Sequence, residues 1–593
     1  MIFFRHLENV WAIILSFLFL FNCHSSFQKR EIGGSESISP KEIEILSKLQ
    51  GLHNSGIHFL SYMYLLGDEK IHSGQLGGTE KDKIQRFKIG SITKLFTGIA
   101  ILQLKDAGKL NLEDPVSKWL PEINELDANE KKFRAITLRD LLTHQSGLPS
   151  DLAAGFFLPP DAAEGEVISS FRNLPRQLRE IKRNEPGKVH SYSNLAFGLL
   201  GIVIERVSQT GIEDYFQEHI LKKAGMNHTT LLERKDGSDL VPGYQGIIWK
   251  SKIESPLIRD LTAGSLSTTG EDMGLFLKAF FRSKKGKGLL SNTSFQEFHR
   301  MQKGPISNFD MKIGLPVILE RLEGKGKSIW IAKHSGSLPP YFADLVYDPE
   351  TETASFLAGN TLGLATGKIH PTNKEIYKLA YEQRTGSALQ TPTLPVREKQ
   401  NKIQDFSGLY VSPLGIHELK LGDKPTLRLY DMDFDVMPKD NLHALQLNLF
   451  FGLIPIKDPF LESLRVEMET WEGEKIFTLL SNEIPKGSLG IATQFQPDSY
   501  FPESEFFGTY ESSDRYAIIP KIKLIRDKRE FSAITITYAL GGMENEITLP
   551  CKLESSNRLR ILGYGRNLGE QMELVKKNGK QFLRYSGIEF TKK

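Results

Sequence analysis

The chain of 593 residues is poor in cysteine, in long apolar runs and in excess charge. Its two cysteines, Cys23 and Cys551, lie far apart, and Cys23 follows a segment typical of an export signal, so we expect no internal disulfide. One run, 10–21, is almost continuously apolar but too short to span a membrane, and no second apolar stretch is long enough to span one either. With a formal net charge of +3 and no basic tract interleaved with aromatic residues, the composition argues against nucleic-acid binding.

The beginning of the chain has the pattern of targeting and tether segments. The apolar run VWAIILSFLFLF follows Arg5 and His6 and has the length of a signal-peptide core. It leads into LFNC, which resembles a lipobox and makes Cys23 the predicted lipidation site; a plain cleaved signal with an incidental cysteine is the alternative. We predict a signal peptide over 1–23 and a polar tether over 24–39. The protein is then exported to the periplasm or cell envelope and anchored to a membrane by lipid.

Helical periodicity dominates the chain as far as residue 386, which we take as the end of one domain that begins at residue 40. The predicted helices lie at 40–50, 91–106, 137–142, 195–209, 268–281 and 373–384, with a hairpin at 56–75 and strands at 311–320, 327–333, 341–347 and 353–359. Thr268-x-x-Glu271 has the form of a capping box at the start of the fifth helix.

Short alternating segments replace the helical pattern after a proline-containing linker at 387–403. Segments such as HELKL, ALQLNLF and SLRVEME are typical of an all-β barrel or sandwich. The word FSGLY at 406–410 recurs as FFGTY at 506–510. We therefore predict two small β domains in tandem, over 404–500 and 501–593.

Ser91 and Lys94, in FKIGSITKLF, stand at the head of an apolar helix. Positions i and i+3 of a helix lie on one face, about 5–6 Å apart at Cβ. A lysine in an enclosed site loses proton affinity and can take the proton of a nearby serine hydroxyl. The N–H of Ser91, unpaired at the helix start, is placed to bind an oxyanion. Alone, the pair also fits a helix-capping serine with a solvated lysine.

SYSN at 191–194 places Tyr192 and Asn194 just before a predicted helix. A tyrosine with a lowered pKa can share proton transfer with a lysine. The asparagine amide can hold a substrate carbonyl and fix Lys94. A turn in which Asn194 caps the helix and Tyr192 packs is the alternative.

A third motif, His334-Ser335-Gly336, ends an alternating strand. Gly336 would let a substrate backbone approach the strand. The next N–H, that of Ser337, would be a second oxyanion donor. A strand end followed by a turn is the alternative.

The order S-x-x-K, Y-x-N and basic residue-x-Gly resembles the serine β-lactamase and penicillin-binding-protein superfamily, in particular its class C-like branch. The likeness covers about 45–385 and is dense in FKIGSITKLFTGIAILQLKDAGKLNLEDPVSKWLPE, ITLRDLLTHQSGLP, PGKVHSYSNLAFGLLGIVIERVS and AGSLSTTGEDMGLFLKAF. It implies an α/β (α+β) domain with an antiparallel sheet flanked by helices and a helical subdomain. Some D-aminopeptidase relatives carry two β-barrel domains after the hydrolase domain, as predicted here.

The resemblance assigns catalysis to Ser91, Lys94 and Tyr192 and substrate binding to Asn194, His334, Gly336 and Ser337. It implies acyl transfer to a small ester, amide or D-peptide substrate, with no metal and no organic cofactor. His334 replaces the lysine of a Lys-Thr-Gly motif, and a neutral histidine holds a carboxylate more weakly, so we expect weak β-lactamase activity at most. We assign the pocket walls to loops at 150–185 and 283–312. A penicillin-binding or sensor lipoprotein with little turnover, whose β domains bind an envelope partner, is the alternative function.

Overall fold

The computed structural model describes most of the chain after residue 38. The described residues are 39–67, 70–77, 85–124, 133–181, 183–233, 239–246, 250–302, 312–393, 401–429, 432–439, 441–449, 454–455, 459–481, 489–497, 500–540 and 543–593. The predicted signal peptide, the lipidation site Cys23 and tether residues 24–38 lie outside them. Among the described residues no single helix is long and apolar enough to cross a membrane; Asn194–Ser208 and Ile212–Ala224, bent by 82°, meet the criteria only as a pair.

Helices surround the first sheet, and one of them is almost completely buried. They are α1 (Pro40–Asn54), α2 (Thr93–Asp106), α3 (Leu138–Leu142), α4 (Glu164–Arg172), α5 (Asn194–Ser208), α6 (Ile212–Phe216), α7 (Lys222–Ala224), α8 (Leu261–Gly264), α9 (Gly270–Phe281), α10 (Asn292–His299), α11 (Ile369–Thr385) and, in the C-terminal region, α12 (Pro459–Ser463). Helix α2 has apolar residues on nearly every side, and α5 and α8 both pack on it. The first turn of α2 therefore lies inside the domain.

One antiparallel sheet forms the centre of the first domain. The strands of this domain are β1 (Phe59–Leu66), β2 (Ile71–Gly77), β3 (Phe87–Lys88), β4 (Phe157–Leu158), β5 (Gly243–Gln245), β6 (Ser251–Ile253), β7 (Leu257–Ile258), β8 (Ser267–Thr268), β9 (Lys312–Ile313), β10 (Ile318–Gly324), β11 (Lys327–Leu338), β12 (Tyr341–Asp348), β13 (Thr353–Gly359), β14 (Thr361–Leu362) and β15 (Leu389–Gln390). The main sheet has the order β15-β10-β11-β12-β13-β1-β2, with β9 paired to β10.

Strand β1 is buried on both faces of the sheet. Leu60 and Tyr64 pack in the cluster formed with α1 and α11, whereas Met63 and Leu65 belong to the large core on the opposite face. The sheet is therefore covered by helices on both sides, and the predicted α/β fold with a flanked antiparallel sheet is confirmed.

Three local predictions differ from the structure. The helix cap at α9 is Thr269, whose hydroxyl accepts from the N–H of Asp272; Thr268 is unavailable because it pairs in β8 with Phe87. The segments assigned to pocket-wall loops contain helices α4 and α10. The linker predicted over 387–403 contains β15 (Leu389–Gln390), which pairs with β10, while residues 394–400 lie outside the described part.

The C-terminal region forms two closed eight-stranded barrels, as predicted for two β domains. The first contains β16 (Gly408–Ser412), β17 (Gly415–Lys420), β18 (Thr426–Leu429), β19 (Met432–Lys439), β20 (Leu442–Leu449), β22 (Arg465–Trp471), β23 (Glu474–Leu480) and β24 (Ala492–Phe495), with β21 (Ile454–Pro455) paired to β20. The second contains β25 (Gly508–Glu511), β26 (Lys521–Arg526), β27 (Ser532–Leu540), β28 (Met543–Ser555), β29 (Arg558–Ile561), β30 (Gln571–Lys577), β31 (Lys580–Tyr585) and β32 (Ile588–Lys592). Cys551 is a buried residue of β28.

The repeated words FSGLY and FFGTY build the same corner in both barrels. The hydroxyl of Tyr410 donates to the carbonyl of Phe406 at 2.5 Å, and the hydroxyl of Tyr510 donates to the carbonyl of Phe506 at 2.6 Å. The glycine between them has a positive φ in each case, 137° at Gly408 and 141° at Gly508. The repeated sequence motif therefore corresponds to a repeated structure at the start of each barrel.

The second barrel packs directly on the first domain. Ala153, Phe156 and Phe157 belong to the same buried cluster as the core of the second barrel. The chain around Ser150 is hydrogen-bonded to the barrel, and these bonds join residues more than 400 positions apart.

Candidate active site

Ser91 and Lys94 meet at the buried first turn of α2. The 3-10 turn Gly90–Ile92 leads into the helix, and the Nζ of Lys94 lies 3.2 Å from the Oγ of Ser91. The same Nζ lies 2.7 Å from the Oδ1 of Asn194 and 2.7 Å from the carbonyl oxygen of Ala263. The lysine is 0% exposed, so its amine is fixed by these three groups rather than by water.

Burial lowers the pKa of Lys94 well below its ordinary value, and the charge of Arg566 lowers it further, against the opposing effect of Asp151. The lowered pKa favours the unprotonated amine, which has a lone pair with which to accept a proton. Its position beside the Ser91 hydroxyl therefore meets the geometric and the electrostatic requirement for a general base.

Tyr192 lies beside both groups but differs from the expectation of a lowered pKa. Its ring centroid is 4.8 Å from the Nζ of Lys94 and 4.4 Å from the ring of His144. Burial raises the pKa of Tyr192 to about 12, although its hydrogen bond with Ser91 acts in the opposite direction. The phenol thus keeps its proton at neutral pH and can donate or relay it.

The N–H groups of Ser91 and Ser337 are brought together by two glycines. A Cβ built on Gly90 would lie 2.6 Å from the nitrogen of Ser337, and one built on Gly336 would lie 1.8 Å from the carbonyl oxygen of Ile89 and 3.2 Å from the nitrogen of Ser91. Gly90 also has a φ of +51°, which favours glycine. Gly336 is therefore required by the approach of this chain's own backbone, and the approach brings the segment with the Ser337 N–H against the turn with the Ser91 N–H, the two predicted oxyanion donors.

His334 lies on the same strand and is 6% exposed. Its Nδ1 is 2.8 Å from the carbonyl oxygen of Ser335. Burial, followed by the nearby charge of Lys94, lowers the pKa of His334 to about 4. The side chain is consequently neutral at pH 7 and supplies no fixed positive charge.

The residues named from the sequence surround one cavity of about 490 Å³. Its lining includes Ser91, Tyr192, Asn194, His334, Gly336 and Ser337, and Lys94 reaches Ser91 and Asn194 from behind. The three sequence motifs, which come from α2, the start of α5 and the end of β11, therefore form a single site.

The Beta-lactamase family model matches residues 66–375, more than half of the chain. The chain belongs to the Beta-lactamase family. Members of this family are generally serine hydrolases. The class C-like branch within it stays a prediction.

Curated relatives of this Beta-lactamase-family chain include Protein flp of Staphylococcus aureus strain MW2, which is 37% identical over 151 residues, or 24% of this chain and 28% of that protein. The match thus spans little more than a quarter of that relative. Penicillin-binding protein 4* of Bacillus subtilis strain 168 is 24% identical over 408 residues, 65% of this chain and 83% of that protein. The crystal structure of SurE superposes with a TM-score of 0.54 at 16% identity, covering 77% of this chain and 99% of that one, and supports the fold.

Sequence reasoning missed a hydrogen-bond relay that connects the site of this family member to its second barrel. The Nδ2 of Asn194 donates to the Oδ1 of Asp151 at 2.7 Å, and Arg566 donates to the Oδ2 of Asp151 at 3.3 Å. The guanidinium of Arg566 also lies 5.5 Å from the Tyr192 ring centroid. Asp151 and Arg566 belong to no recognisable motif, and no local signal in the sequence would have found them.

His144-Gln145-Ser146-Gly147 has the contacts of a structural turn. The Nδ1 of His144 accepts from the N–H of Ser193 at 3.0 Å, and its carbonyl accepts from the N–H of Ser191 at 2.8 Å. The ring stacks on Tyr192 and fixes its orientation. In the described part of the chain, no group of three or more His, Cys, Asp or Glu side chains is arranged to bind a metal ion.

Proposed function

We propose that the protein is a serine hydrolase that transfers an acyl group through Ser91. The observation that carries this proposal is the buried amine of Lys94, 3.2 Å from the Ser91 hydroxyl. Burying a lysine costs free energy unless the group is paired or used. Here its partners are a serine, an asparagine and a backbone carbonyl, none of them negatively charged.

In the proposed mechanism, unprotonated Lys94 accepts the proton of Ser91 as the Oγ attacks the substrate carbonyl carbon. The carbonyl oxygen becomes an oxyanion that receives hydrogen bonds from the N–H groups of Ser91 and Ser337. The tetrahedral intermediate collapses, the leaving group takes a proton supplied through Lys94 or the Tyr192 phenol, and an acyl-Ser91 ester remains. Water, deprotonated by the same groups, then attacks the ester and restores the serine.

The substrate class that we propose is a small ester or amide, including D-amino-acid peptides. A cavity of about 490 Å³ has the size of ordinary small-molecule sites. The likeness to penicillin-binding protein 4* supports acylation by penicillins. Neutral, buried His334 supports weak rather than efficient β-lactam turnover, because a substrate carboxylate finds no charge there.

Active-site labelling tests the proposal. We expect a fluorescent fluorophosphonate or penicillin to label the wild type and not the Ser91→Ala variant. Ser335→Ala is the matched control, because Ser335 lines the same cavity but donates to Asp344 instead of contacting Lys94. Labelling of the Ser91→Ala variant would refute the assignment of Ser91 as the nucleophile. Labelling without turnover of p-nitrophenyl esters or D-alanine p-nitroanilide would favour the penicillin-binding or sensor alternative.

A further inference from the structure

The second barrel forms one wall of the catalytic cavity. Arg566 lies between β29 and β30, Tyr538 lies on β27, and both line the cavity that contains Ser91. Among the described residues that line this cavity, Arg566 is the only arginine or lysine. A positive charge from the last domain of the chain therefore faces the site of acyl transfer.

Most of the hydrogen-bonding capacity of Arg566 is unused. A guanidinium has five N–H donors, and the structure gives Arg566 one hydrogen bond, to the Oδ2 of Asp151 at 3.3 Å. Its side chain is 48% exposed, although it lies against the Tyr192 ring. An arginine that is paired on one side and open on the other can still receive an oxyanion.

Tyr538 adds a second donor at the same wall. Its hydroxyl is buried and has no hydrogen-bond partner in the described part of the structure. A buried hydroxyl without a partner costs free energy, so a ligand atom that accepts its hydrogen bond would remove that cost.

The carboxylates of the cavity, by contrast, are already occupied. The Oδ1 of Asp151 accepts from Asn194. Asp344 accepts from Ser335 at 2.6 Å, from His370 at 2.8 Å and from Asn373 at 2.9 Å. Arg566 and Tyr538 therefore have unused N–H and O–H donors at this wall of the cavity, and such donors suit a negatively charged ligand group.

We propose that Arg566 and Tyr538 form a carboxylate-binding subsite that the second barrel supplies to the active site. The inference rests on the proposed function and narrows its substrates to esters or amides that bear a free carboxylate near the scissile bond. Neutral His334 leaves this recognition to the barrel, since it carries no charge of its own at pH 7.

A matched pair of thiolesters tests the subsite on the full-length protein. The first is the thioglycolate thiolester of N-benzoyl-D-alanine, whose leaving group carries a carboxylate. The second is the corresponding thioglycolamide thiolester, whose leaving group carries a neutral amide in the same place. A chromogenic disulfide measures the thiol that either substrate releases. We expect the wild type to prefer the carboxylate by about tenfold or more in kcat/KM. Arg566→Met should lose about 10- to 100-fold on the carboxylate and less than about threefold on the amide, the scale of a hydrogen bond to a charged group. Tyr538→Phe should show a smaller loss of the same kind, and Arg566→Lys should recover part of the preference.

Controls separate this inference from the proposed function. Arg558→Met, on the exposed surface of the same barrel, should leave both rates unchanged. Equal losses on both thiolesters in Arg566→Met would overturn the subsite, because they would mean that Arg566 only positions Asn194 through Asp151. No carboxylate preference in a wild type whose Ser91 is still labelled by fluorophosphonate would overturn the subsite alone. Absence of that labelling would overturn the proposed function.

Discussion

Replacing Gly336 with alanine should separate the two oxyanion donors. The added Cβ would lie 1.8 Å from the carbonyl oxygen of Ile89 and 2.8 Å from its carbon, and both are backbone atoms that no side-chain rotation can move. Relief to ordinary van der Waals contact requires a separation larger by about 1.5 Å. Oxyanion donors act at about 2.7–3.1 Å, so a shift of this size removes one of them, at a cost of about 100- to 1000-fold in kcat.

Pre-steady-state acylation by an activated ester measures the effect directly. Gly367→Ala is the matched control, because a Cβ there meets no atom within 4 Å and the backbone is not in the left-handed region. Both variants should be compared with the wild type in their melting curves, so that loss of rate is separated from loss of fold. A Gly336→Ala protein that is folded and acylates within about threefold of the wild type would refute the assignment of the Ser91 and Ser337 N–H groups.

Three further predictions follow from buried ionisable groups. Acylation should become faster as pH rises through the lowered pKa of Lys94 and should then stay level, because Tyr192 keeps its proton to about pH 12. A stopped-flow pH profile that rises and then falls again well below pH 12 would contradict this. Burial raises the pKa of Glu570 from 4.5 to about 7, so its contribution to the free energy of unfolding is complete below pH 4.5 and is lost as pH rises through 7. The lost free energy is about 3 kcal/mol, and Glu570→Gln should abolish this pH dependence in denaturant titrations. An unchanged pH dependence in the variant would count against the prediction. Glu320 is buried between Lys333 and Lys374, and these charges lower its pKa to about 2 although burial alone would raise it. Glu320→Gln should lower the free energy of unfolding by about 3–5 kcal/mol at pH 7, measured by the same denaturant titration. A decrease below about 1 kcal/mol would contradict the pairing.

The candidate active site is predictable because each of its parts has a short-range signal in the sequence. Ser91 and Lys94 are one helical turn apart, Tyr192 and Asn194 precede a helix, and Ser337 follows a glycine at a strand end. The family resemblance then joins the three parts. The protonation state of Tyr192 was not predictable, since it depends on the degree of burial, which a motif does not specify.

The interface between the first domain and the second barrel has no such signal in the sequence. Arg566 contacts Asp151 across 415 positions, and its surroundings, LGYGRNLG, have the composition of an ordinary turn. The predicted N-cap of α9 was wrong for a related reason. Thr268 and Thr269 are equivalent in a local pattern, and only the pairing of β8 with β3 decides between them.

The hydrogen bonds between segment 150–154 and the second barrel also have a consequence for biosynthesis. Ser586 accepts from the N–H of Ala153 and donates to the carbonyl of Asp151, so the segment that carries the cavity residue Asp151 is held in place by the second barrel. Because domains generally fold in the order in which the ribosome releases them, the serine and lysine are in place long before this wall exists. A nascent or prematurely stopped polypeptide therefore contains the proposed nucleophile but lacks the wall of the cavity that the second barrel supplies.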